Sequence, residues 1–231
     1  DEPASKLLEK IVKEKAQLIQ QGKLKKSKPL PEITEAEKPF DLPDGWEWVR
    51  LSELVTFENG DRSSRYPNQS DLKTEGIPFF GAKDMVKGEL VIDNDLRFIS
   101  EEKFSELSNG KLKDKDLVVL LRGTVGKIAQ FNASNFETGF INAQMLIIRF
   151  VESELSSYFR KYFESKLFEN QISEFITGSA IKQMPASKLE SILVCIPPKE
   201  EQTRIVAKVN ELMTLCDQLK TQLQTAQQTQ I

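Results

Sequence analysis

Stretches of helical spacing flank a long middle region in which short apolar runs alternate with turn residues. Near the start, Leu8, Ile11, Val12, Lys15, Leu18 and Ile19 fall on one face at helical period. With Ser5 as N-cap and Gly22 as stop, they predict a helix to about Gln21. From Pro39 to Phe150 the apolar runs shorten and glycine, proline and asparagine turns separate them. Asp116–Leu121 and Lys127–Phe131 read as strands, and Phe140–Phe150 as one longer strand. On that strand Asn142 and Gln144 alternate and share a face. Helical spacing returns over Glu154–Asn170, where Leu155, Tyr158, Phe159, Tyr162, Phe163 and Leu167 make a broad apolar face. Ile192–Ile196 reads as a last strand, closed by Pro197-Pro198.

The clearest pattern follows that double proline. Ile205, Val209, Leu212, Cys216, Leu219, Leu223 and Ala226 are spaced 4, 3, 4, 3, 4, 3, an a/d seam over three heptads. Together these elements predict an α+β fold, an irregular mixed sheet followed by a long heptad-patterned C-terminal helix. The expected organisation is a helix over 1–22, a basic Pro/Lys linker over 23–38, the sheet domain over 39–196 and the seam helix over 197–231. The linker carries Lys23, Lys25, Lys26 and Lys28 with Pro29 and Pro31. It is read as an extended connector whose cations are free to meet phosphate.

Composition narrows the chemistry. The 231 residues contain no histidine, which removes the commonest general base and most transition-metal sites. Two cysteines, Cys195 and Cys216, are too few for a zinc site and read as buried small hydrophobes in a reduced compartment. Net charge is −3, so any positive surface for nucleic acid has to be local. No apolar run approaches the roughly 18 residues that span a membrane. The chain opens at Asp1 rather than Met, as expected of a fragment.

No Walker-type phosphate loop, dinucleotide fingerprint or methyltransferase signature is present. Arg122-Gly123-Thr124-Val125-Gly126-Lys127 lies between two strand-like runs and reads as a hairpin presenting Arg122, Thr124 and Lys127. Its glycines allow close backbone approach, and its cations suit phosphate or guanine. Arg62, Ser63, Ser64 and Arg65 share another loop, and Ser179, Lys182 and Gln183 a third. Arginine pairs with guanine, and asparagine or glutamine with adenine, through two hydrogen bonds. A rival reading makes Glu164-Ser165-Lys166 part of a metal-dependent nuclease, although such triplets are common on the polar side of a charged helix. Another makes the chain a coiled-coil scaffold without DNA readout.

Several segments in order carry a resemblance: Leu42-Pro43-Asp44-Gly45-Trp46, Lys113-Asp114-Lys115-Asp116-Leu117-Val118, Gly178-Ser179-Ala180-Ile181-Lys182, and Pro197-Pro198-Lys199-Glu200-Glu201-Gln202-Thr203-Arg204-Ile205-Val206. This order resembles the specificity subunit of bacterial type I restriction–modification systems. The resemblance implies a non-catalytic, cytoplasmic protein that reads double-stranded DNA through target-recognition domains joined by long helices. It further implies docking to methyltransferase (modification) subunits and, through the complex, to restriction subunits. S-adenosylmethionine, ATP and magnesium would be used by those partners, with no cofactor or metal in this chain. Only one recognition domain and one seam helix are present, as expected of half a subunit that pairs through Ile205, Val209, Leu212, Cys216, Leu219 and Leu223, with the first helix or with a second copy. The residues expected at DNA are Arg62, Ser63, Ser64, Arg65, Lys83, Arg122, Thr124, Lys127, Asn142, Gln144, Ser179, Lys182 and Gln183.

Overall fold

The computed structural model describes residues 1–26, 29–134 and 136–229, apart from the side chains of 226, 228 and 229. Ser27 and Lys28 of the expected linker, and the Ala226 side chain of the expected seam, lie outside the described residues. The chain runs α1 (Ala4–Gln20), β1 (Glu47–Arg50), α2 (Leu51–Leu54), β2 (Val55–Asn59), β3 (Ile77–Phe80), β4 (Met85–Val86), β5 (Glu89–Leu90) and β6 (Arg97–Ile99). It continues through α3 (Glu101–Glu106), β7 (Leu117–Leu120), β8 (Ile128–Gln130), β9 (Phe140–Ile141), β10 (Met145–Phe150), α4 (Leu155–Phe163), α5 (Lys166–Ser173), α6 (Ser187–Glu190), β11 (Leu193–Ile196) and α7 (Lys199–Thr229). The fold is α+β, with irregular mixed sheets and a long C-terminal helix.

The central sheet has six strands in the order β2-β10-β7-β8-β5-β4, antiparallel except where β5 meets β8. Its middle strands are apolar at nearly every position because both faces are covered. Leu117, Val119, Leu146, Ile148 and Phe150 face one core with α4 and with Ala4 and Ile11 of α1. Val118, Leu120, Met145 and Ile147 face a second core with Phe80, Leu112 and Ile141. A three-stranded sheet, β6-β3-β9, carries Phe79 and Phe140 into a third cluster. Each such side chain contributes about 1.5–3 kcal/mol when fully buried.

A two-stranded sheet joins β1 to β11, pairing Trp48 with Cys195. It brings the Leu42–Trp46 opening against the start of α7. Trp46 Nε1 donates to Glu201 Oε2 at 3.0 Å, and buried Gln202 donates to Pro197 O at 2.8 Å. Two of the segments that carry the family resemblance, 155 residues apart, thus form one junction.

Four expectations change. Helix α1 begins at Ala4 after Pro3, and Ser5 is not its cap. Ala4 N donates to Gly45 O at 2.8 Å, so one otherwise unpaired amide is already satisfied. The Phe140–Phe150 strand divides into β9 and β10, which belong to different sheets, because a turn at Asn142–Gln144 intervenes. The Glu154–Asn170 helix divides at Glu164–Ser165: extended Ser165 caps α5 through Phe168 N, and Phe168 packs 4.5 Å from the Phe163 ring. Cys195 is buried, and burial pushes its thiol up, whereas Cys216 is exposed.

The exposure of Cys216 follows from where α7 goes. Ile205 and Val206 still pack on the core, but Leu212, Leu219 and Leu223 are exposed, so α1 does not cover the seam. Cys216→Ser and Leu219→Gln should therefore leave the stability of this chain unchanged, within about 0.5 kcal/mol. A drop of several degrees in thermal unfolding would show that the stripe is packed.

Candidate nucleic-acid interface

Four loops converge where β7, β8 and β10 end. The β7–β8 hairpin closes through Leu120 N to Lys127 O at 2.9 Å and Gly126 N to Leu120 O at 3.0 Å. Gly123 and Gly126 have φ of +88° and +84°, a conformation that side chains disfavour. The turn from Thr177 to Met184 adds to this hairpin as an extra edge. Gly123 N donates to Lys182 O at 2.9 Å, Met184 N to Leu121 O at 3.0 Å, and Thr177 and Gln183 exchange backbone bonds at 2.8 and 2.9 Å. On the other side Leu121 N donates to Gln144 O at 2.9 Å, which ties in the turn before β10. Within that turn Asn142 Oδ1 accepts from Gln144 N at 2.9 Å. The loop after β2 lies against it, and Arg62 Nη2 donates to Ala143 O at 3.0 Å.

Between these loops is an open cleft of about 580 Å³, lined among others by Asn59, Arg62, Arg122, Gln144, Thr177 and Gln183. Two arginines and no carboxylate are among its lining residues. The side chains can pair with guanine and adenine edges, and their backbones are cross-braced rather than loose. A local positive surface thus coexists with an acidic whole chain.

Of the residues expected at DNA, Arg62, Arg122, Gln144 and Gln183 line this cleft. Ser63, Ser64 and Arg65 are exposed beside it, with Arg65 Nη2 on Ser108 Oγ at 3.1 Å. Thr124 and Lys127 sit on the β7–β8 hairpin, and Ser179 and Lys182 on the exposed 177–183 turn, outside the lining. Lys83 follows β3 and donates to Asp95 O at 2.6 Å, also outside it. Asn142 and Gln144 do not share a strand face, because the turn diverts the backbone and Asn142 spends its carbonyl oxygen on the Gln144 amide. Asn59 and Thr177 were not among the expected contacts; the first stands in a turn signal and the second in a loop already singled out.

Asp61 is another omission, since it is 1% exposed beneath the Arg62–Arg65 loop. Burial acts to raise its carboxyl, but hydrogen bonds from Ser63, Ser108 and Asn109 outweigh that and hold the pKa at about 2. It is ionised at neutral pH. Glu164, the residue of the nuclease reading, ends α4 and lies 3.8 Å from Lys161. Among the described residues no group of three or more Cys, Asp or Glu side chains is placed to hold a metal. Among the same residues no helix is long and apolar enough to cross a membrane.

Comparison with known proteins matches residues 43–227 to the family described as type I restriction modification DNA specificity domain. The chain is 33% identical, over its whole length, to the type I restriction enzyme EcoAI specificity subunit of Escherichia coli, covering 39% of that protein. It is 32% identical over 98% of its length to the EcoEI specificity subunit of Escherichia coli, covering 37% of it. The solved HsdS subunit from Thermoanaerobacter tengcongensis is similar over 79% of this chain and 40% of that one, with 25% identity and a TM-score of 0.60. The chain therefore spans about two fifths of the relatives it matches.

Proposed function

Because the chain belongs to the type I restriction modification DNA specificity domain family, we propose that it reads one half of a split double-stranded DNA target in the major groove and carries out no chemistry itself. The observation that carries this reading is the cleft in which Arg62, Arg122, Gln144 and Gln183 meet on mutually hydrogen-bonded loops without a facing carboxylate. Phosphate contacts from Lys83, Thr124, Lys127, Ser179 and Lys182 position the duplex, and the cleft together with the Ser63–Arg65 loop beside it specifies it. Residues 39–196 act as the recognition unit and 197–231 as the spacer. The exposed seam of α7, with Leu212, Cys216, Leu219 and Leu223, supports docking to another long helix, and through the assembly to modification and restriction subunits. Those partners supply S-adenosylmethionine, ATP and magnesium chemistry in the cytoplasm.

The test is co-expression of the protein with the modification subunit of its own system, followed by mapping of methylated bases on plasmid DNA. A short motif is expected. Arg122→Ala should relax it at one base, by roughly 1–3 kcal/mol of discrimination, if Arg122 pairs with a guanine. If Arg122 meets phosphate instead, affinity falls evenly across sequences and the salt slope shrinks by about one. A motif indifferent to Arg62→Ala and Arg122→Ala alike would sink the reading.

A further inference from the structure

The readers on the Arg62–Arg65 loop are long side chains on a surface turn, so their selectivity depends on how firmly the backbone beneath them is held. One buried group holds it. Asp61 Oδ1 accepts from Ser63 N at 2.7 Å, closing the turn on itself. A turn of this kind needs only that oxygen. Oδ2 reaches instead to a segment 47 residues away, accepting from Ser108 N at 3.0 Å. The same junction is bridged above by Arg65 Nη2 on Ser108 Oγ. It is braced below by Glu58 Oε1, which accepts from Gly110 N at 2.7 Å and Lys111 N at 3.1 Å. The fit is close: a Cβ on Gly110 would lie 3.2 Å from Gly60 Cα.

We infer that Asp61 is a positioning residue for DNA readout, whose buried carboxylate fixes the Arg62–Arg65 loop against residues 108–110 and sets Ser108 and Asn109 beside Arg65 on the DNA-facing surface. Asp61 itself touches no base. Ser108 and Asn109 are exposed and carry a hydroxyl and an amide suited to phosphate or base edges. The inference rests on the DNA-reading proposal above.

The experiment uses the assembled complex and compares methylation rates on the cognate half-site and on half-sites with single-base changes. Asp61→Asn keeps the side-chain shape but removes the charge and one acceptor. Discrimination should fall about tenfold at the bases that Arg62→Ala or Arg65→Ala relaxes, the size of a misplaced paired contact. Bases relaxed by Arg122→Ala should keep their discrimination. Adding Asp61→Asn to the Arg62→Ala/Arg65→Ala pair should cause no further loss at those positions, because the charge acts through them. Amide exchange at Ser63 and Ser108 should be slow in the unaltered protein, and at Ser108 it should become fast in Asp61→Asn, because the remaining oxygen still closes the turn on Ser63.

Discrimination that is unchanged, or lost evenly at every base, overturns the inference. Fast exchange at Ser63 or Ser108 in the unaltered protein also overturns it, and that result is readable even if the variant does not fold. If Arg62→Ala and Arg65→Ala leave the motif intact, DNA reading by this loop fails and the inference fails with it. If they relax the motif and Asp61→Asn does not, only the inference fails.

Discussion

Arg149→Ala is expected to cost the fold about 3–5 kcal/mol, because it strands two carboxylates that the guanidinium now pairs. Arg149 Nε and Nη2 donate to the two Asp116 oxygens at 2.9 and 2.6 Å, Nη1 donates to Glu58 Oε2 at 3.0 Å, and Nη2 also reaches Lys111 O at 2.9 Å. Asp116 is 2% exposed at the head of β7, and without Arg149 it keeps the Lys113 amide at 2.7 Å as a partner. A buried charge left in that state is worse than no pair at all. For a chain of this size the thermal midpoint should fall by roughly 6–20 °C. Combining Arg149→Met with Asp116→Asn should recover much of the loss, since the more deeply buried of the two stranded charges is then gone. Thermal unfolding of the single and double variants decides the matter. A single-variant loss below about 1 kcal/mol would mean that the pair is effectively solvated.

Gly60→Ala carries the second large effect. A Cβ there would lie 2.2 Å from Asn142 O, 2.8 Å from Asn142 C and 3.0 Å from Ala143 Cα, all of them backbone atoms. No side chain can swing aside, so one of the two loops has to move by about 1 Å, at a cost of roughly 1–3 kcal/mol or more. Those loops carry Arg62 and Gln144, and the expected readout is loss of the methylation motif in the assembled complex along with the loss of stability. Gly123→Ala is the control. Its Cβ meets nothing within 4 Å, so φ +88° alone penalises it, by about 1–2 kcal/mol. Equal loss of motif in both variants, or a motif preserved in Gly60→Ala, would refute the tight loop junction.

Strands β7 and β11 were readable from sequence because burial on both faces leaves continuous apolar runs. The division of β9 from β10 was not. Asn142-Ala143-Gln144 fits strand alternation, and the turn appears only once the Asn142 side chain is seen to fold back on the Gln144 amide and Met145 N to close on Asn142 O. The same holds for α4 and α5, where apolar spacing runs through Ser165 although its extended backbone ends one helix and caps the next. Cys216 fits the seam pattern, but a heptad names a face and not what covers it. At the cleft, residue type marked the arginine and glutamine loops as candidates. Which loops meet depends on backbone bonds such as Gly123 to Lys182 and Leu121 to Gln144, which no local pattern encodes. Asp61 escaped because an acidic residue in a loop reads as solvated until its two oxygens are seen to be spent on amides from different segments.

The pairing of β1 with β11 also bears on how such a protein can change over time. Everything from the central sheet to the cleft is strung between Arg50 and Leu193, which are directly paired neighbours. The proposed reading head is thus a cassette with its two leads soldered side by side. A different insert that begins and ends at that one pair, and keeps an apolar face for α1 and the first turns of α7 to pack on, leaves the Trp46–Glu201 junction and the direction of α7 undisturbed. If the insert reads DNA as proposed, new sequence preferences can then be acquired by exchanging it whole, while α7 and whatever docks on it stay as they were.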